Sequence, residues 1–207
     1  MEGYKLRRSY DVRLRTLPVS QVMSTPASLH DALQDYGFRH SEEAAICERF
    51  AEFLRSAPTV FLREHAAGHF TGSAWLVSAD GNRVLLTHHR KLARWLQLGG
   101  HADGDNDLPR VALREAEEES GLDGLQVDDE IFDLDCHLIP ARGDEPAHWH
   151  YDVRYVVHAT HNERFAISDE SLALAWKSIE AIAHDEQADA SLQRMARKWL
   201  ARDCRQS

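Results

Sequence analysis

The chain is poor in the residues that staple small secreted folds. Its three cysteines, Cys47, Cys136 and Cys204, are odd in number and widely spaced. That excludes a disulfide framework and a CxxC metal clip, and makes a reducing, cytoplasmic compartment the expected one. With 11 glycines and 6 prolines in 207 residues, the chain is neither collagenous nor of low complexity. No apolar run approaches the ~20 residues that a membrane-crossing helix needs, so no membrane partner is expected. Positive charge is scarce too: 24 Lys and Arg against 34 Asp and Glu leave a net charge of -10. Such a field repels polyanions, and a nucleic-acid partner is not expected.

What is present suits one folded domain with an extension. Residues 1–23 form a basic leader, with Lys5, Arg7, Arg8, Arg13 and Arg15 against Glu2 and Asp11. It lacks the apolar stretch of a secretory signal. An unstructured start, or an over-long reading frame with Met23 as initiator, is the preferred reading over a basic arm. Residues 24–68 read as a helical extension. One helix opens at the capping-box-like Ser28-Leu29-His30-Asp31 and is expected to stop at Gly37. A second opens at Ser41-Glu42-Glu43 and carries Ile46, Phe50, Phe53 and Leu54 at helical spacing up to Pro58. That stripe is a packing face, with a homodimer contact as the alternative.

Beyond Gly68 the period shortens. Ser73–Ser78, a turn at Asp80-Gly81-Asn82 and Arg83–Thr87 read as a hairpin. A short strand at Trp95–Leu98 runs into Gly99-Gly100. A helix is expected over Leu108–Ser120, capped by Asp107, with Pro109 in its tolerant first turn and Gly121 as its stop. Further strands fall near Ile131–Ile139, His150–Ala159 and Leu172–Trp176, and closing helices between Ile179 and Ala201. Together these predict an α/β fold, a mixed sheet sandwiched between helices, over residues 69–207.

The helix contains Arg114-Glu115-Ala116-Glu117-Glu118-Glu119-Ser120-Gly121-Leu122. Glu115, Glu118 and Glu119 stand at i, i+3 and i+4, so three carboxylates share one face while Glu117 points away. Crowded like charges destabilise a helix, and a hard divalent cation offsets that; oxygen ligands suit magnesium or manganese. The competing reading is a solvated acidic face with Arg114 paired to Glu118.

The wider segment resembles the Nudix box, G-x5-E-x7-R-E-U-x-E-E-x-G-U, where U is aliphatic. Gly100 supplies the first glycine, Arg114-Glu115 the R-E pair, Ala116 the aliphatic position, Glu118-Glu119 the paired glutamates and Gly121-Leu122 the end. Asn106 stands where the first glutamate is expected. The resemblance implies a Nudix-type α/β/α sandwich and a metal-dependent hydrolase. Such an enzyme cleaves a diphosphate linkage in a nucleoside-diphosphate derivative or similar small molecule by metal-activated water. It implies Mg2+ or Mn2+ on Glu115, Glu118 and Glu119 with the Gly99 carbonyl, Arg114 orienting a glutamate, and Glu118 and Glu119 in catalysis. A base outside the box is assigned to Glu170, with Glu163 second. A catalytically silent ligand-binding relative and an RNA-end pyrophosphohydrolase are the rival readings.

In Ala147-His148-Trp149-His150-Tyr151-Asp152-Val153-Arg154, strand alternation places His148, His150 and Asp152 on one face and Trp149, Tyr151 and Val153 on the other. His101, directly after the glycine pair, is expected at the mouth of the same cleft. His101, His148, His150, Asp152 and Arg154 are therefore candidate substrate-binding residues. A second, zinc-like metal on His101, His148 and His150 is the other functional reading. Substrate contact or a plain polar network is preferred over it. Asp103-Gly104-Asp105-Asn106-Asp107 lacks the glycine and closing glutamate of a calcium loop and reads as an acidic turn. His88-His89-Arg90-Lys91 with Arg94 is a small basic cluster, read either as an anion contact or as a solvated loop.

Overall fold

The computed structural model describes residues 28–90, 94–143, 145–160, 162–166 and 171–203. The basic leader, Lys91 and Glu170 lie outside the described residues.

Two helices come first, α1 (Leu29–Arg39) and α2 (Ala44–Ser56), joined by a single 3-10 turn at Ser41–Glu43. The Ser28 side chain caps α1 by accepting from the Asp31 amide. The expected stop at Gly37 does not occur. The helix runs on to Arg39, whose guanidinium bonds the Glu130 carboxylate and the Ile131 carbonyl, so tertiary contacts hold the last turn. The apolar stripe of α2 packs within the chain: the Phe53 ring stacks on Tyr151 at 3.7 Å, and Phe50 meets Phe70 and Tyr151.

Among the described residues, seven strands make one mixed sheet: β1 (Gly68–Val77), β2 (Arg83–His89), β3 (Arg94–Leu96), β4 (Leu98–His101), β5 (Gln126–Ile139), β6 (His148–His158) and β7 (Ser171–Ser178). β1 and β6 run parallel along their full length at its centre. β4 and β2 share the other edge of β1, β3 and β7 flank β2, and β5 pairs antiparallel with β6. β1 begins five residues before the expected strand. Its first half alternates polar His69, Thr71 and Ser73 with Phe70, Gly72 and Ala74, a period-2 pattern that pairing with β6 stabilises.

That alternation sorts the layers. Phe70, Tyr151, Val153 and Tyr155 face α1, α2 and the helix α3 (Leu108–Ser120). Trp75, Val77, Val84, Leu86 and Val156 face α4 (Ile179–His184) and α5 (Ala190–Asp203). α3 has its expected bounds. Asp107 accepts from the Arg110 amide at the N-terminus, Pro109 occupies the first turn, and Gly121 ends the helix at φ 66°, a left-handed conformation that glycine adopts without strain. The helix lies close on β1 because Gly72 has no side chain: a Cβ there would sit 2.8 Å from Val111 Cγ1.

Candidate functional site

The close docking of α3 carries its acidic face to β4. A Cβ on Gly100 would overlap the Glu115 carboxylate, 2.6 Å from its Cδ, so glycine makes the space this side chain fills. Glu115 is half-buried. Burial pushes its carboxyl up, against the Arg114 guanidinium that pulls it down. Arg114 donates to Glu115 Oε1 at 2.9 Å and, from the same nitrogen, to the His101 carbonyl at 3.0 Å, tying helix to strand. Glu119 accepts from the Gly99 amide at 2.7 Å. Glu118 is exposed on the same face and Glu117 points to solvent. The three carboxylates of this helix offer oxygen, the donor chemistry a hard divalent ion prefers, although their ligand atoms do not converge within 4.8 Å of one another as the histidine nitrogens described below do.

The acidic turn before α3 is not a loose cluster. Asp103 is paired with Arg63 at 2.6 Å and Asp105 with Arg110 at 2.7 Å, each consumed by an arginine, while Asn106 is exposed.

The candidates on β6 separate into two groups along one face. Arg154 is 2 % exposed and lies within 3.4 Å of carboxylate oxygens of Asp152, Asp133 and Asp135. Asp152 accepts from Thr71, Ser73, Gln97 and Arg154. From α5, Arg194 and Lys198 close on Asp133, at 2.7 and 2.6 Å. Burial pushes Asp133 and Asp135 up, but the surrounding cations and hydrogen bonds outweigh it and hold both below the usual carboxylate range. Asp152 and Arg154 are thus members of a buried ion network, their charges engaged within the protein. Glu163 is likewise engaged, accepting from the Ala79 amide at 3.0 Å and pairing with Arg83 at 2.6 Å.

The histidines form the other group. His148 Nε2 lies 3.3 Å from His150 Nε2, and His101 and His150 have ring centroids 5.1 Å apart. The structure adds a residue that sequence reasoning missed, His69, which β1 places directly beside His150. It is 1 % exposed, and neither ring nitrogen has a hydrogen-bond partner. A buried polar group left this way costs about 1–3 kcal/mol. Burial, with help from neighbouring imidazoles, pushes His69 down to about 4 and His150 to about 2, and burial also lowers His101. All three shifts favour the neutral imidazole. The polar alternation His69-Thr71-Ser73 was the available signal, but only the β1–β6 register shows which residues it faces.

His88 and Arg94 do not join either group. The His88 ring meets Trp95 edge-on at 5.2 Å and Arg94 pairs with Asp189 at 3.2 Å, in a groove between the sheet and α4–α5. No helix among the described residues is long and apolar enough to cross a membrane.

No curated protein matches the chain. Among solved structures, a Caenorhabditis elegans Ap4A hydrolase in a binary complex is 17% identical, with a TM-score of 0.52, covering 65% of this chain and 97% of that one. An Escherichia coli dihydroneopterin triphosphate pyrophosphohydrolase is also 17% identical, with a TM-score of 0.51, covering 64% of this chain and 95% of that one. At these identities the likeness is one of fold. The profile of the NUDIX domain matches residues 69–199, more than half of the sequence and every strand and helix from β1 through α4, so the chain belongs to the NUDIX domain family.

Proposed function

We propose that this NUDIX-family pyrophosphohydrolase cleaves a diphosphate linkage in a nucleoside-diphosphate derivative or similar small molecule, using Mg2+ or Mn2+ held by Glu115, Glu118 and Glu119 with the Gly99 carbonyl. The observation that carries the reading is the packing of α3 on β4, in which Gly100 leaves room for one carboxylate and the Gly99 amide anchors another. A diphosphate repels nucleophiles because its oxygens are already negative. A divalent ion held by these carboxylates would neutralise that charge and lower the pKa of a bound water.

The chain's own residues prepare the site. Arg114 fixes Glu115 by bonding its Oε1 while grasping the His101 carbonyl, so the carboxylate cannot rotate away from β4. The Gly99 amide fixes Glu119 Oε1 in the same way. Glu118 completes the face and, with Glu119, is assigned to catalysis. Glu170 is assigned as the base outside the helix. Residues 69–207 act as the catalytic unit and residues 24–68 as a helical extension that completes its core through Phe50 and Phe53. The cysteines Cys47 and Cys136 are free, which suits a cytoplasmic enzyme.

The test is a panel of nucleoside triphosphates, dinucleotides, nucleotide sugars and nucleotide alcohols, incubated with magnesium or manganese and resolved by product. Glu119→Gln should lower turnover of any substrate found by about 100-fold or more, the order seen when a charge-stabilising group is removed from an active site. Its melting temperature should stay near that of wild type. Wild-type rates from the variant would remove the glutamates from the chemistry.

A further inference from the structure

The histidines of β1, β4 and β6 stand apart from the metal and catalytic assignments of the proposed reaction. His69 and His150 are direct neighbours in the parallel β1–β6 pairing, and His101 of β4 stands across from Thr71 of β1, one step along the same face. The three rings surround a common centre at nearly equal spacing, with centroids 4.9 Å (His69–His101), 4.8 Å (His69–His150) and 5.1 Å (His101–His150) apart. One nitrogen from each lies within 4.8 Å of the other two, and among the described residues this is the one group of three metal-ligating side chains so disposed. His69 is fully enclosed with both nitrogens unpartnered, so it offers a lone pair to the centre and loses no hydrogen bond by doing so.

The neighbouring His148 sharpens the chemistry. Its Nδ1 lies 2.9 Å from the Pro146 carbonyl, which can only accept, so the proton sits on Nδ1 and Nε2 carries the lone pair. That lone pair points at His150 Nε2, 3.3 Å away. Around the rings, Asp103 is held by Arg63, and Glu145 Oε1 stands 3.8 Å from His148 Nε2.

We propose that His69, His101 and His150 bind a divalent transition-metal ion of the zinc class, with the fourth position open beside His148. Imidazole nitrogens select zinc, cobalt, nickel or copper over magnesium and calcium. The site is separate from the carboxylates of α3, because strand alternation turns Gly100 toward Glu115 and His101 to the opposite face. It does not rest on the diphosphate reading and stands or falls without it.

The experiment uses full-length protein made without a histidine tag, stripped with chelator, then equilibrated with zinc or cobalt in a large excess of magnesium. Elemental analysis should give roughly one zinc per chain, and cobalt should show the intense visible bands of a tetrahedral nitrogen site. His69→Gln and His101→Gln should each weaken binding at least about tenfold. His101 is only half-buried, so its variant decides the matter if the His69 variant does not fold. Glu119→Gln should keep its zinc. The proposal is overturned by a wild-type chain that takes up no zinc or cobalt, by equal uptake in wild type and the folded histidine variant, or by uptake lost in Glu119→Gln and kept in the histidine variant.

Discussion

Arg154 is the residue whose removal distinguishes a buried ion network from a substrate contact. Arg154→Met keeps an unbranched side chain and deletes the guanidinium that bridges Asp133, Asp135 and Asp152. Asp133 would retain Arg194 and Lys198, and Asp135 would retain Arg194, but among the described ion pairs Asp152 would keep none. Breaking a buried pair by removing one partner costs about 3–5 kcal/mol, because the remaining charge is stranded away from water. In a chain of this length each kcal/mol moves the melting temperature by roughly 2–4 °C, so a fall of about 10 °C is expected. Urea unfolding followed by tryptophan fluorescence gives the free energy, and calorimetry the midpoint. The deficit should shrink as the medium is acidified, since protonating a stranded carboxylate removes its cost. A variant that melts within about 2 °C of wild type and instead binds substrate poorly would refute the argument and return Arg154 to the binding site.

Two other outcomes follow from the same geometry. Gly100→Ala should displace the Glu115 carboxylate, a flexible group, so manganese affinity measured by electron paramagnetic resonance should fall about tenfold or more while the fold stays intact; unchanged affinity would refute the placement of Glu115. Asp133 and Asp135 have folded-state values below their unfolded ones, so their contribution to stability is complete above about pH 5 and is lost as pH falls through the folded values. Unfolding free energies that stay level from pH 6 down to about pH 2 would contradict the network.

The parts legible in the sequence were those set by local chemistry. Asp107, Pro109 and Gly121 bound α3 because capping, a first-turn proline and a left-handed glycine act within one turn of chain. The three glutamates share a face by helical period alone. What could not be read depended on distant strands. His69 acquires its neighbours only through the β1–β6 register, which joins segments some 80 residues apart in sequence. Arg154 follows His148, His150 and Asp152 on one face of β6, but face says nothing of depth. Its partners Asp133 and Asp135 come from β5, and the helix that seals them in, α5, comes later still. Gly37 failed as a stop because contacts with β5, supplied through Arg39, outweighed its weak helical preference.

The parallel pairing of β1 with β6 also dictates an order of events during synthesis. The aromatic face of α2 rests on Tyr151, and β1 has no partner on that edge until residues 148–158 have emerged. Until then Phe50, Phe53 and Phe70 have no aromatic surface from β6 to cover them, and the unpaired side of β1 is open to any strand that meets it. Closing so long a loop is slow, and such intermediates are prone to aggregate. Lys198 of α5 reaches both Glu43 beside α2 and Asp133 in β5, so a helix made well after both of them latches the α2 region to the sheet.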